Sequence, residues 1–311
     1  MKVRRTFILS LALLSTACSK KEPDPAGIKQ ANEKQLRSLS QQITEAEIAD
    51  DLTSFIQTSS EQAISMPEYQ LTLSGRAEIE LYYREIFKRQ NIKTYQRRVQ
   101  EFIHLGKTIV EIGTFIKEYT NSESDSLTTL SGQYWNVWAA ADGNFTLKGE
   151  AFGYFHPVAH PETFIVTVNH LQPDEADVLI EKEIPFELKA YNALMEKGVR
   201  NRDGTLRSGF FMEAGSFKPF ADTTVTGMDQ IKPFLIAYSS RGTVTIDSIT
   251  CYTYDFEYGG DYLLEYDMFK VAWSRGDVSG RTEGKGIRIW KRQADHSLRL
   301  YREIGTHNHL N

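Results

Sequence analysis

The feature that most constrains this 311-residue chain is that its two halves repeat each other. Pro67 and Pro219, Gly75 and Gly227, Ile79 and Ile231, Gly132 and Gly284, and Trp138 and Trp290 all lie 152 residues apart. The matches fall at equivalent places in the same order of helices and strands. A unit this long is a duplicated domain and not a solenoid, whose repeats run to about 20–50 residues. Any fold assigned to one half must therefore serve the other.

The first half opens with "ITEAEIADDLTSFIQ", apolar at helical spacing with Thr44 as a cap, and then a second amphipathic helix, "RAEIELYYREIFKRQ". From Tyr95 to Tyr119 the pattern predicts strands. Two more flank the turn Ala-Asp-Gly-Asn that ends at Asn144. In the second half, "PDEADVLIEKEIPFELKAYNALMEKG" predicts a helix broken near Pro185, and "MDQIKPFLIAY" a short helix. Strands follow on either side of Gly259-Gly260-Asp261. The chain closes on a hairpin, "GKGIRIWKRQADHSLRLYREIG".

"MPEYQLTLSGRAEIELYYREIF", followed by strands and by "GQYWNVWAAADGNFTL", resembles the SnoaL-like branch of the nuclear transport factor 2-like superfamily. The closing hairpin is similar to that family's ending: a strand that finishes on Trp and basic residues, a polar turn, and a last strand. The resemblance covers residues 36–157 and 174–311, with 158–173 as a linker. It implies an α+β fold for each half, a cystatin-like α+β roll in which a curved antiparallel sheet wraps N-terminal helices into a cone. Such a cone can leave an apolar pocket at its open end. Members include isomerases, dehydratases, polyketide cyclases, binding modules and scaffolds, so the resemblance does not choose among these activities.

Residues 1–17 carry Lys2, Arg4 and Arg5, then an apolar run from Phe7 to Leu14 that is too short to span a bilayer. With "LLSTAC" after it, the segment resembles a bacterial lipoprotein signal. That implies cleavage before Cys18, a diacylated Cys18, and residues 18–35 as a flexible tether. The implied partner is a membrane, reached through the lipid, and the implied place is the bacterial cell envelope. Ser19, where an inner-membrane retention signal has Asp, favours the outer membrane if the cell has two. Losing residues 1–17 takes the formal charge from −5 to −8. A chain so acidic is not expected to bind nucleic acid. Cys251, in the strand-like run "DSITCYTYDF", is then left without a thiol partner. This excludes a disulfide framework and a Cys-based zinc cluster, and reads Cys251 as a small core residue.

An acid–base site inside a cone needs a carboxylate or His in apolar surroundings, often beside a Tyr that steadies an oxyanion. In "LLEYDMFKVAW", Leu263, Glu265, Asp267, Phe269 and Val271 share one strand face. Either that face lines a cone and buries both acids, or Leu264, Tyr266, Met268 and Ala272 form the core and the acids are solvated. In the first half, Tyr82, Tyr83, His104, Glu111 and His156 are the polar groups available to a pocket. Helical Tyr82 and Tyr83 equally suit a core, and His104 a packed or surface position. In the closing hairpin Arg288 and Trp290 point away from Ile287 and Ile289. On a concave face they line a pocket, with Arg302 beyond the turn as an anion contact. The matching Trp138 has Asn136, not Arg, two residues before it, so the apolar frame is duplicated and the charge is not.

His156 with His160, and His307 with His309, lack the acidic or Cys complement of a metal site, and no metal is expected. The chain has no Walker A motif, no Rossmann glycine fingerprint and no Gly-x-Ser-x-Gly elbow, so no cofactor is expected. The leading expectation is a membrane-anchored lipoprotein whose cones bind a small hydrophobic or aromatic ligand or a protein, without catalysis. One alternative is an isomerase, dehydratase or cyclase with Asp267 or His104 as base. Another is a structural module whose convex sheets pair, within the chain or between two chains.

Overall fold

The computed structural model describes residues 25–121, 124–141, 143–168, 182–242 and 244–309. The signal segment, Cys18, residues 18–24 of the tether and residues 169–173 of the linker lie outside the described residues. The duplication is visible down to single backbone angles. Gly75 starts one helix at φ 88°, ψ 153°, and Gly227 starts its counterpart at φ 81°, ψ 153°. Only glycine holds this conformation without strain, which is why both halves keep it.

In the first half, α1 (Pro25–Ile48) and α2 (Leu52–Ile56) precede β1 (Ser59–Pro67), β2 (Leu73–Ser74) and α3 (Arg76–Arg89). Four long strands follow: β3 (Gln90–Leu105), β4 (Thr108–Asn121), β5 (Ser124–Ala141) and β6 (Asn144–Tyr154). The second half repeats this as α4 (Phe186–Arg200), α5 (Gly204–Ser208), β7 (Phe211–Lys218), β8 (Val225–Thr226) and α6 (Met228–Ser240). Then come β9 (Thr245–Gly259), β10 (Tyr262–Arg275), β11 (Val278–Arg292) and β12 (Leu298–His307). The two six-stranded sheets have the orders β2-β1-β6-β5-β4-β3 and β8-β7-β12-β11-β10-β9. Each half is thus an α+β roll, as expected. Neither sheet is wholly antiparallel, because the chain returns from the four-strand meander to lay β6 parallel to β1 and β12 parallel to β7.

Three boundaries differ from the sequence reading. Residues 25–35, expected as tether, are the first turns of α1. Their Ala, Lys, Gln and Glu content favours a helix after Pro25, and with Ile28 as their one large apolar residue they show no helical periodicity. Thr44 is not a cap but lies inside α1, where its hydroxyl bonds the Ser40 carbonyl (2.8 Å). The break comes at Asp50, at φ 54°, and Asp51 caps α2 by accepting from the Ser54 N–H (3.0 Å). Residues 158–168, expected as linker, belong to the first cone. Phe164, Val166 and Val168 are buried there, and the Gln70 amide pairs with the Val166 backbone at 2.8 and 3.1 Å.

The concave face of each sheet packs on its own helices. The convex faces pack on each other: Ile103, Val110, Ile112, Trp135 and Val137 form one cluster with Leu264, Tyr266, Met268, Ile287, Ile289 and Ile304. Both faces of β10 are therefore buried, so Leu264, Tyr266 and Met268 are core and the opposite face is not solvated.

Candidate functional site

Strand pairing shows which side chains are equivalent in the two cones. Glu111 lies opposite Asn136, and Glu265 opposite Arg288. Asn136 lies opposite Glu150, and Arg288 opposite Glu303. Each cone therefore carries a pair of interior carboxylates. The expectation that only the apolar frame was duplicated is corrected by these pairs.

In the first cone the carboxylates are used up by the protein. Glu111 accepts from the Ser40 hydroxyl (2.6 Å), the Tyr134 hydroxyl (2.8 Å) and the Trp138 indole (2.9 Å). Glu150 accepts from Ser65 (2.6 Å) and Tyr83 (2.8 Å). Arg97 lies over the Tyr134 ring at 3.8 Å, and Lys117 pairs with Glu47 at 2.8 Å. Tyr82 and Tyr83 are buried in the helix packing. The space left among these groups is about 30 Å³, roughly one water. The first cone is solid.

The second cone is hollow, with a cavity of about 440 Å³. The reason can be read from register. Tyr95 and Lys117 face each other across β3 and β4, where the second cone has Ile249 and Val271. Arg97 beside Phe115 becomes Cys251 beside Phe269. Tyr134 beside Gly113 becomes Gly286 beside Asp267. Four bulky interior groups are thus replaced by smaller ones, and the large side chain of the last pair changes strand.

The cavity floor is a charge cluster. Arg288 Nη2 meets Asp267 Oδ2 at 2.9 Å, its Nε meets Glu303 Oε1 at 2.9 Å, and its Nη1 lies 3.8 Å from Glu265 Oε2. Behind it, Glu265 accepts from the Trp290 indole (2.7 Å) and the Thr253 hydroxyl (2.6 Å), and Thr253 accepts from the Asn192 amide (3.1 Å). Asp267 Oδ1 is buried and has no hydrogen-bond partner among the described residues. Burial pushes Asp267 up to about 7, against the pull of Arg288 and with help from Glu265 and Glu303. The three acids hold the guanidinium firmly charged. Burial also raises the Cys251 thiol, in the cavity wall, to about 12. His307 stacks on Phe220 at 4.1 Å, and burial, with Lys285 and Lys218 nearby, lowers it to about 3.

Of the residues singled out in the sequence, the structure brings Asp267 and Arg288 to this floor; Glu265 and Trp290 lie behind it, outside the cavity lining, where Trp290 packs on Tyr191 at 4.6 Å. The structure places Tyr82, Tyr83, Glu111 and Trp138 in the solid cone. His104 lies in neither cavity; it meets Glu33 of α1 at 3.0 Å. Arg302 also leaves the cavity. It points at the other cone, where its Nε meets Glu101 Oε2 at 2.8 Å. Its neighbour Glu303 is the cavity residue, and Glu150 in the first half was the signal for it. Among the described residues, the rings of His156 and His160 meet the Pro157 carbonyl and Glu162. Among the described residues, no three His, Cys, Asp or Glu side chains are placed to hold a metal.

Fold and site together define a tandem of α+β cones, one filled by its own side chains and one open around buried acids. No protein-family model matches the chain, and no curated protein matches it at a significant level. Solved structures similar to parts of it include a ketosteroid isomerase-like protein from Erwinia carotovora atroseptica. It is 13% identical, spans 40% of this chain and 96% of its own, and has a TM-score of 0.38. ActVI-ORFA from Streptomyces coelicolor is 16% identical over 40% of this chain and 96% of its own, with a TM-score of 0.34. An NTF-2 like protein of unknown function from Shewanella oneidensis is 14% identical over 39% of this chain and 98% of its own, with a TM-score of 0.31. At such scores the likeness carries no argument, and the architecture rests on strand order and register.

Proposed function

We propose that this protein binds a small, largely apolar ligand in its second cone, on a chain held at the cell envelope by lipid on Cys18, with the first cone as a scaffold. The observation that carries this reading is the cavity of about 440 Å³ with an unpartnered acceptor, Asp267 Oδ1, at its floor. The volume falls among those of small-molecule sites, about 300–1,000 Å³. The walls are mostly apolar, and a ligand hydroxyl or amide N–H would supply the missing donor. The test is titration with the neutral dye Nile red. The wild type should show one saturable site, and a chain filled by Ile249→Tyr and Val271→Phe should show none while unfolding at least as late. Absent binding by the wild type, or equal binding by both, would overturn the reading. The anchor has its own test: Cys18→Ala should abolish incorporation of a labelled fatty acid, and persistent labelling refutes it.

A second reading rests on Asp267 itself. A carboxyl near pH 7 with a bare oxygen at an apolar cavity is suited to move a proton, as in isomerases and dehydratases. Asp267→Asn should then abolish turnover of a substrate while sparing dye binding, and turnover that survives would dismiss this reading. His104, outside the cavity, has no part in it.

A further inference from the structure

Of the four arginines that line the hollow cone, two are tied down, and Arg241 is exposed, over the Phe234 and Tyr238 rings. Arg288 is shared by three carboxylates. Arg202 at the rim donates to the carbonyls of Ser239, Arg241, Gly242 and Val244. Arg207, on α5 and in the cavity wall, is different. Its side chain makes no hydrogen bond or ion pair with the described residues, and its Nε is buried without an acceptor. Its one ring contact is Tyr238, at 5.7 Å. Burial lowers its pKa from the ordinary value, but a guanidinium starts so high that it remains charged at neutral pH.

The first cone shows what this position does when the cone is solid. There α2 carries Phe55, whose ring packs on Tyr83 (4.2 Å) and Phe87 (5.7 Å). The same turn of the roof is thus an apolar plug in one cone and a bare cation in the other. Arg207 is half-buried and its Nε fully so; a desolvated charge without a partner is costly, and here, unlike at the equally orphaned Arg97 Nε of the solid cone, there is room for an opposite charge to arrive. The lining as a whole agrees, with five basic residues, Arg202, Arg207, Arg241, Lys285 and Arg288, against two acidic ones, Asp267 and Glu303.

We propose that the ligand of the hollow cone is an amphiphilic carboxylate, with its apolar body in the cavity and its anionic end paired to Arg207. This rests on the ligand-binding reading above and adds the chemical class. Planar carboxylate and planar guanidinium match in two parallel hydrogen bonds, which a hydroxyl or neutral amide cannot reproduce.

The test compares two probes of one body, naphthalene carboxylic acid and naphthalene methanol, titrated into the full chain by quenching of Trp273 in the cavity wall. The acid should bind at least about tenfold tighter than the alcohol, the worth of a charge-assisted pair. Arg207→Gln should erase that preference while leaving the alcohol within about twofold, and Arg207→Lys should keep part of it. Unchanged unfolding midpoints would show that the variants are folded. Equal binding of acid and alcohol by the wild type, or an Arg207→Gln that weakens both alike, overturns the carboxylate class and leaves the pocket standing. Failure of both probes to bind the wild type overturns the pocket together with the class.

Discussion

Arg288→Met is the sharpest perturbation of the hollow cone. The substitution keeps an unbranched chain of similar length and removes the cation that pairs with Glu265, Asp267 and Glu303. Arg288 and Asp267 are each 6% exposed, so water screens the pair little. Stripping one member from a buried ion pair costs about 3–5 kcal/mol, because the remaining charge is left uncompensated. With two carboxylates at 2.9 Å and a third at 3.8 Å, the loss at pH 7 belongs at the upper end, about 4–5 kcal/mol. The pH dependence has a definite sign. Asp267 is raised in the folded state to about 7, so its contribution is present when protonated, below about pH 4, and fades as pH rises through 7. Removing Arg288 takes away the group that pulled it down, and moves this window higher. The penalty of Arg288→Met should therefore shrink from pH 7 to pH 5, as the orphaned Asp267 takes up its proton. Urea unfolding followed by tryptophan fluorescence at both pH values measures it. Adding Asp267→Asn to Arg288→Met should recover part of the loss. A loss below about 1 kcal/mol, the level of a solvated pair, or one that grows toward pH 5, would refute the reasoning.

Two further outcomes follow from single positions. Gly227→Ala places a side chain at φ 81° and should lower stability by about 1 kcal/mol or more, measured by thermal unfolding; an unchanged midpoint would show that the angle is not held. Cys251, with its thiol raised to about 12 by burial, should react with iodoacetamide at pH 8 at least about a hundredfold more slowly in the folded chain than in urea, and equal rates would mean that the thiol itself is not desolvated.

Much of this architecture is legible in the sequence, because the duplication constrains each half by the other. The helices, the long strands and the shared face of Glu265 and Asp267 follow from periodicity. Whether that face is buried does not. Alternation tells inside from outside only when one face meets water, and β10 has helices on one side and the first sheet on the other. The repeat misleads in a different way. A fixed offset of 152 pairs Glu111 with Leu263 and Glu150 with Arg302, which hides both recurring carboxylates. Glu111 to Asn136 spans 25 residues and Glu265 to Arg288 only 23. Trp138 to its partner Leu147 spans nine, and Trp290 to Leu300 ten. Hairpins absorb such changes at their tips, where backbone is exposed and length is cheap. The register at the cone floor survives while the numbering drifts. Hence Arg302 stood out in the sequence, and Glu303, one residue on, is the side chain that reaches the cavity.

The hollow cone also explains why a solid one accompanies it. An apolar void costs about 24 cal/mol per Å³, so 440 Å³ left dry would cost about 10 kcal/mol, comparable to the whole stability of a domain. Water entering through the mouth relieves part of that, but the wall still forfeits the contacts that Tyr95, Arg97, Lys117 and Tyr134 make in the first cone. The second sheet must recover stability on its other side. It does so by burying Leu264, Tyr266, Met268, Ile287, Ile289 and Ile304 against the convex face of the first sheet. The first cone can present a rigid face because its own interior is filled. Division of labour within the duplication then follows from packing: one copy gives up its cavity and supplies a stable wall, and the other keeps a cavity that it could less easily sustain alone.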